Sequence, residues 1–599
     1  MSGAYCVSKC ETIKNKIRRK HKWPAFKNNG STPPYYQLKN DNEMPKTIIY
    51  QLLPRLFSNT RDVNKPNGTL AENGCGKLNE INDAALANIA SLGVSHVWYT
   101  GVIRHASTTN YHFISRAANA NVVKGKAGSP YAICDYYDID PDLADDVDAR
   151  LDEWKSLVER THRHGMKVLM DFVPNHVARQ YHSDVKPEVQ FGQNDDTSKA
   201  FAPNNNFYYM PGKSFVPPVS DLDVPYVENP AKASGNDAFT AQPSAFDWYE
   251  TVKLNYGRDY APGGSDHFSP KPDTWGKMRD ILLYWVQTGV DGFRVDMAHM
   301  VPVEFWNWVI AQVVNRHPNV IFVAEIYDTA KYADYIRAGF NILYDKVNFY
   351  DIVRSVMTEK TPASCITDIW RRTGDVAANM LYFLENHDEQ RLASDFFVSD
   401  PRKARPAYLL ALTMSRGATM LYAGQELGEK GMDCEGYSGC DGRTSIFDYW
   451  TVASLRRNVS GFKFDGASLT ADERDLRAWY AKANGLVQQY EALSNGDFYD
   501  LMWINQHIWV DAANVFAYLR FLQGERFLVV LNFAATPRRQ NLRIPDDAWK
   551  LMGSTWNECI MPCDMLGNAL RLGRDSVNNI KERGLEVEIP AHDGIILKI

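Results

Sequence analysis

The order of apolar runs along the chain predicts an α/β protein: a (β/α)8 TIM barrel with an inserted domain after its third strand and a C-terminal antiparallel β-sandwich domain. Three observations lead to that expectation. From Thr47 onward, short runs rich in Val, Ile and Tyr alternate with longer amphipathic stretches, the pattern that feeds a parallel sheet wrapped in helices. One connection, after the third run, is far too long for a plain loop and is rich in Asn, Pro, Gly, Asp and Tyr; connections of that size are functional or form small domains. Towards the C-terminus the helical pattern gives way to period-two alternation, which marks an antiparallel sheet with one solvated face.

Taken in order, strands are predicted at 47–52, 95–99, 167–172, 292–296, 320–325, 341–344, 380–384 and 419–422, with helices between them at 148–164, 274–288, 302–316 and 401–414. Eight βα repeats close a barrel whose chemistry sits at the C-terminal ends of the strands. The domain expectation is an N-terminal extension at 1–45, the barrel at 46–176 and 272–495, the inserted domain at 177–271, and a C-terminal β domain at 496–599 with strands at 515–521, 526–532, 585–589 and 595–599.

Composition narrows the function. With 45% hydrophobic and 23% charged residues in 599, the chain can bury a large core, and disorder is excluded for most of it. A net charge of -6, from 72 acidic against 66 basic side chains, gives no field to draw nucleic acid or acidic lipid. A neutral, polar partner fits better. The 15 Trp, 31 Tyr and 27 Phe supply flat apolar faces with polar edges, suited to an aromatic core or to a ligand with such faces. No run approaches the ~20 apolar residues of a membrane span. Lys14, Lys16, Arg18, Arg19, Lys20 and Lys22 are not followed by the apolar stretch of a secretory signal, so a cytoplasmic protein is expected unless a signal has been removed. Nine cysteines cannot all pair within one chain, and the close pairs Cys6 and Cys10, Cys434 and Cys440, and Cys559 and Cys563 lack the spacing of a zinc site.

Four strand ends carry chemistry. In DGFRVDMAHM, Arg294 and Asp296 lie two apart on a strand and so project to the same side, into the barrel mouth. A guanidinium there favours the ionised carboxylate and is expected to lower its pKa, as a carboxylate nucleophile requires. The next strand ends in Glu325, flanked by Ala324 and Ile326, where partial desolvation would raise the pKa towards general-acid work. Adjacent strand ends can hold two carboxyls roughly 5 Å apart, the separation of retaining glycosidases. LYFLENHDEQR puts His387 and Asp388 after the seventh strand, and LMDFVPNH puts Asp171, Asn175 and His176 after the third. Acids and histidines converging on one rim can bind sugar hydroxyls and stabilise positive charge at an anomeric carbon.

In these segments the sequence resembles glycoside hydrolase family 13, the alpha-amylase family. DFVPNH, GFRVDMAHM, FVAEIY and FLENHD match its four signature regions in order, and VKLN at 252–255 matches a fifth. The resemblance implies Asp296 as nucleophile, Glu325 as acid and base, and Asp388 as transition-state stabiliser. It implies that Arg294, His176 and His387 hold the sugar at the cleaved bond, that Asp171 supports the site, and that Tyr131, followed by Asp135, stacks under that sugar. His299 counts with the substrate-binding residues by position. Yet His299 and Met300 stand where typical members carry Lys and His, and Pro130 stands where many carry Gly. No cofactor is needed for the chemistry, while Asn175 resembles a ligand of the family's structural calcium. The implied activity is retaining hydrolysis of alpha-1,4-linked glucans such as starch or maltooligosaccharides. Transfer or isomerisation on the same barrel is the alternative, and a non-catalytic carbohydrate-binding member would instead show eroded carboxylates.

Overall fold

A computed structural model describes residues 35–36, 46–219, 224–506, 510–555, 558–568 and 572–599. The basic N-terminal cluster, Cys6 and Cys10 lie outside the described residues. Eight parallel strands close a barrel in chain order: β1 Ile48–Leu52, β2 His96–Tyr99, β3 Lys167–Phe172, β4 Gly292–Val295, β5 Ile321–Ala324, β6 Ile342–Tyr344, β7 Met380–Tyr382 and β8 Ala418–Tyr422. All eight predicted strands are there.

Alternation along these strands explains how one barrel carries both a core and a site. Ile49, Trp98, Leu169, Val323, Leu381 and Met420 form an apolar cluster inside the barrel. Two residues further along the same faces come Gln51, Thr100, Asp171 and Glu325, all buried. Period-two geometry therefore changes the lining from apolar to polar within one step at the C-terminal end. Registry aligns the polar layer: Arg294 pairs with Asp171 on one side and with Val323 on the other. Gly292 opens the lower layer, because a Cβ there would lie 2.4 Å from the Ile321 carbonyl and 2.9 Å from Leu169.

The outer helices bury one stripe each. Arg150–Arg163 turns Trp154, Leu157, Val158 and Thr161 inward, the i, i+3, i+4, i+7 spacing of a single apolar face. Between β3 and β4 the chain forms two small ribbons, His176–Ala178 with Thr251–Lys253 and Tyr209–Met210 with Ala231–Lys232. The first ribbon roots the insertion directly at the end of β3.

Towards the C-terminus, a six-stranded antiparallel sheet orders Tyr35–Tyr36, Asp497–Asp500, Val515–Leu522, Glu525–Asn532, Asp593–Lys598 and Cys563–Asp564. Arg538–Leu542 and Leu585–Ile589 form a separate two-stranded ribbon, so among the described residues no second sheet equals the six-stranded one in size. One of its faces is instead covered by the barrel helix Arg405–Thr413, whose Leu409 lies 2.7 Å from where a Cβ on Gly594 would stand. The edge strand Tyr35–Tyr36 comes from the N-terminal extension.

Arg520 ties the sheet to the barrel. It is fully buried, and burial holds its pKa down at about 10. It donates to the carbonyls of Met414 at 3.1 Å, Ala492 at 3.3 Å, Leu493 at 3.4 Å and Ser494 at 3.3 Å. The last three belong to the helix Glu491–Asn495, whose C-terminal carbonyls favour a cation. Replacing Arg520 with Met is expected to destabilise the protein by about 3 kcal/mol by leaving these carbonyls short of donors, read as a lower urea midpoint; an unchanged midpoint would refute the tie.

Candidate active site

One guanidinium organises the barrel mouth. Arg294 Nη1 donates to Asp296 Oδ1 at 3.0 Å and to Asp171 Oδ1 at 3.4 Å. Its Nη2 lies 2.7 Å from Glu325 Oε2, a charge contact whose angle does not make a hydrogen bond. The guanidinium carbon stands over three rings, Trp98 at 5.2 Å, Tyr131 at 5.3 Å and Tyr344 at 5.6 Å. Aromatic faces favour a cation at such distances.

Three carboxyls thus share one positive charge. Burial first, and then the Glu325 charge, push the Asp296 pKa well up despite Arg294. Sequence alone led to the opposite expectation, since it shows the arginine beside the aspartate but not the further acids brought in by neighbouring strands. Asp171 is raised to about 6, again by burial with Arg294 opposing. It accepts from Trp98 Nε1 at 3.2 Å and the Gly101 amide at 3.3 Å, so it sits beneath the site and not in the cleft. Asp296 Oδ2 has no hydrogen-bond partner.

Glu325 is fixed from several sides. Its Oε2 accepts from the Met297 amide at 2.9 Å and its Oε1 from Tyr327 Oη. Met297 follows Asp296 in a left-handed conformation, φ 44° and ψ 43°, which a non-glycine residue adopts at a cost of order 1–3 kcal/mol. That turn is what aims its amide at Glu325. His299 packs on Tyr327, ring centroids 5.7 Å apart, and does not line the cleft.

Asp388 keeps 46% of its side chain open, yet the protein surrounding it raises its pKa. Its Oδ2 lies 3.1 Å from His387 Nε2. Gln51 Nε2 meets His387 Nδ1 at 2.7 Å and Thr100 Oγ1 at 3.1 Å, so the amide donates to Nδ1 and the ring proton sits on Nε2. Burial lowers the His387 pKa to about 3, which keeps the ring neutral. Tyr131 stacks on it at 5.4 Å, with Oη 2.5 Å from Nε2. His176, likewise held neutral by burial at about 3, packs on Trp248 at 5.2 Å.

These groups surround a cleft of about 270 Å³ lined by Tyr131, His176, Asp296, Glu325 and Asp388 together with Trp248, Met297, Tyr327 and Phe447. Met297, Tyr327 and Phe447 were not among the residues predicted for the site. Phe207, Tyr208, Tyr209 and Tyr249 are buried as insertion core, and of the insertion aromatics only Trp248 reaches the cleft wall among the described residues.

A family model for the alpha-amylase catalytic domain matches residues 51–445. The chain belongs to the alpha-amylase family. Among curated relatives, Alpha-amylase 3 of Dictyoglomus thermophilum is 23% identical over 67% of this chain and 74% of its own length. Neopullulanase 2 of Thermoactinomyces vulgaris is 22% identical over 86% and 73%. An alpha-1,4-glucan:maltose-1-phosphate maltosyltransferase of Pseudomonas aeruginosa is 26% identical over 57% and 43%. Among solved structures, an alpha-amylase from Geobacillus thermoleovorans complexed with acarbose is similar in fold, with a TM-score of 0.60 at 18% identity, covering 92% of this chain and 98% of that one.

The family calcium does not fit the donors at Asn175. Asn175 Oδ1 accepts from the ammonium of Lys253 at 2.8 Å, and its Nδ2 donates to the Gly235 carbonyl at 2.7 Å. Lys253 is itself buried and pairs with Asp237 at 2.6 Å. A second cation at that oxygen would face the lysine charge directly. Among the described residues, no group of three or more His, Cys, Asp or Glu side chains could hold a metal. A chelator is therefore expected to leave the thermal midpoint unchanged, whereas Lys253→Met should lower stability by about 2–3 kcal/mol by stripping Asn175 and Asp237 of their partner. A chelator-induced fall in the midpoint would contradict this.

Proposed function

We propose that the protein is a retaining glycosidase of alpha-1,4-linked glucans, acting through a glycosyl-enzyme on Asp296. The observation that carries this reading is the bridging of Asp296 and Glu325 by one guanidinium inside a cleft walled by aromatic rings. Two carboxyls on one guanidinium belong to the close arrangement, about 5 Å apart, that retaining enzymes use. Inverting enzymes need a wider gap to admit a water.

In the first step Glu325, acting as general acid, gives a proton to the glycosidic oxygen as that bond breaks. Asp296, left ionised beside Arg294, attacks the anomeric carbon. Asp388, on the rim beside His387, faces the positive charge developing on the ring. In the second step Glu325 takes a proton from water as the water oxygen bonds to the anomeric carbon, and the Asp296 carboxylate leaves. Names of relatives such as alpha-amylase and neopullulanase support an alpha-glucan as substrate. A maltosyltransferase among the relatives supports a second reading, in which an acceptor sugar takes the place of water in that step.

Two variants separate the roles. Asp296→Asn should lower kcat on maltoheptaose roughly ten-thousand-fold or more, and Glu325→Gln about 100- to 10,000-fold. On alpha-maltosyl fluoride, whose leaving group needs no proton, Glu325→Gln should recover the first step while Asp296→Asn stays inactive. Recovery of both, or of neither, would overturn the assignment.

A further inference from the structure

One wall of the cleft carries an ion pair that the chemistry above does not use. Lys124 and Glu250 both line the cleft, and both are buried. Lys124 Nζ lies 3.1 Å from Glu250 Oε2 and donates to the Asp247 carbonyl at 3.2 Å. The 3.1 Å approach is a charge contact without hydrogen-bond geometry, and Glu250 Oε2 has no hydrogen-bond donor among the described residues. Burial raises the Glu250 pKa, with the Lys124 charge the largest influence against it.

Two elements meet to place the pair. Lys124 comes from the barrel loop after β2, which lies against the loop after β8: the Ala127 amide donates to the Phe447 carbonyl at 3.0 Å. Gly125 permits that approach, since its φ is 66° and a Cβ there would stand 2.2 Å from the same carbonyl. Glu250 comes from the insertion, immediately before the ribbon strand Thr251–Lys253, and its carbonyl accepts from the Arg179 amide at 3.0 Å. Because His176 pairs with Lys253, Glu250 stands three residues, roughly 10 Å, along the ribbon from the level of His176. Trp248, which also lines the cleft, is two residues before it.

A buried ion pair costs desolvation that apolar side chains of similar volume would not, and here it faces a cleft suited to a neutral ligand. The pair leaves open at least one N–H of an ammonium that carries three, and one carboxylate oxygen. A hydroxyl group complements both at once, accepting from the N–H and donating to the oxygen. We infer that Lys124 and Glu250 set substrate specificity by binding a ring hydroxyl of the glucose unit adjoining the one at the cleaved bond, with Trp248 beside that unit's apolar face. The pair thereby favours oligosaccharides over single glucosyl units. This inference rests on the alpha-glucan reading above.

The test compares kcat/KM on maltoheptaose with kcat/KM on α-glucosyl fluoride, which fills only the position of the cleaved sugar. In Lys124→Met and in Glu250→Gln the ratio of the two is expected to fall about 10- to 100-fold, the loss that a missing hydrogen bond to a charged group brings. The paired variant, Lys124→Met with Glu250→Gln, leaves no buried charge unpaired; it should show a similar fall, and it decides the matter if a single variant does not fold. An unchanged ratio in the paired variant would overturn the inference: equal loss on both substrates would make the pair a structural clamp, and no loss on either would make it a bystander. Wild-type protein that turns over neither substrate refutes the alpha-glucan reading instead, and the specificity role with it.

Discussion

The barrel mouth depends on one buried cation. At about 3 Å and an effective dielectric of about 20, a guanidinium offsets a carboxylate by ~5 kcal/mol, which covers the desolvation of roughly one buried acid and not of three. Arg294 faces Asp171, Asp296 and Glu325 at once. The cluster must therefore hold protons, and this imbalance is chemically useful: a general acid needs a proton, and a nucleophile needs to lose one. The aromatic cage of Trp98, Tyr131 and Tyr344 keeps the guanidinium fixed while protons move around it. Removing Arg294 would leave three acids with no counter-charge, so the site is built around it.

Much of the fold was legible because parallel strands buried on both faces read as short apolar runs bounded by turn residues. The strand-end acids were legible for the same reason, since a charge closing an apolar run stands out. What the sequence withheld depends on long-range meeting. Lys253 and Asn175 are 78 residues apart, and nothing local marks a lysine as the partner of that amide. Trp248 resembles its neighbours Phe207, Tyr208 and Tyr209 in type, and only the placement of the insertion separates a cleft wall from a core. The left-handed turn at Met297 leaves no trace in residue type either, because left-handed positions usually show themselves as Gly or Asn. His299, which differs from the usual family residue, packs on Tyr327 and sets Nδ1 3.5 Å from the Glu325 backbone carbonyl, contacts that residue type alone does not announce.

The insertion and the C-terminal sheet support the site in different ways. The ribbon of His176–Ala178 with Thr251–Lys253 carries a cleft histidine on one strand and the Lys253 ammonium on the other, so the contact that anchors the insertion also sets one wall of the cleft. The sheet lies against the helix Arg405–Thr413, beside β8, and is held there by Arg520 among carbonyls. A buried cation does at both places what a metal or a disulfide does elsewhere, Lys253 through the side chains of Asn175 and Asp237 and Arg520 through backbone carbonyls.

The anomeric configuration of the first product, followed by proton NMR in the first minutes of maltoheptaose cleavage, tests the centre of this picture most directly. Asp296 as a nucleophile bridged to Glu325 predicts the α-anomer first, with the β-anomer arriving only by mutarotation. A β-anomer formed first would mean direct attack by water and would contradict the covalent role of Asp296.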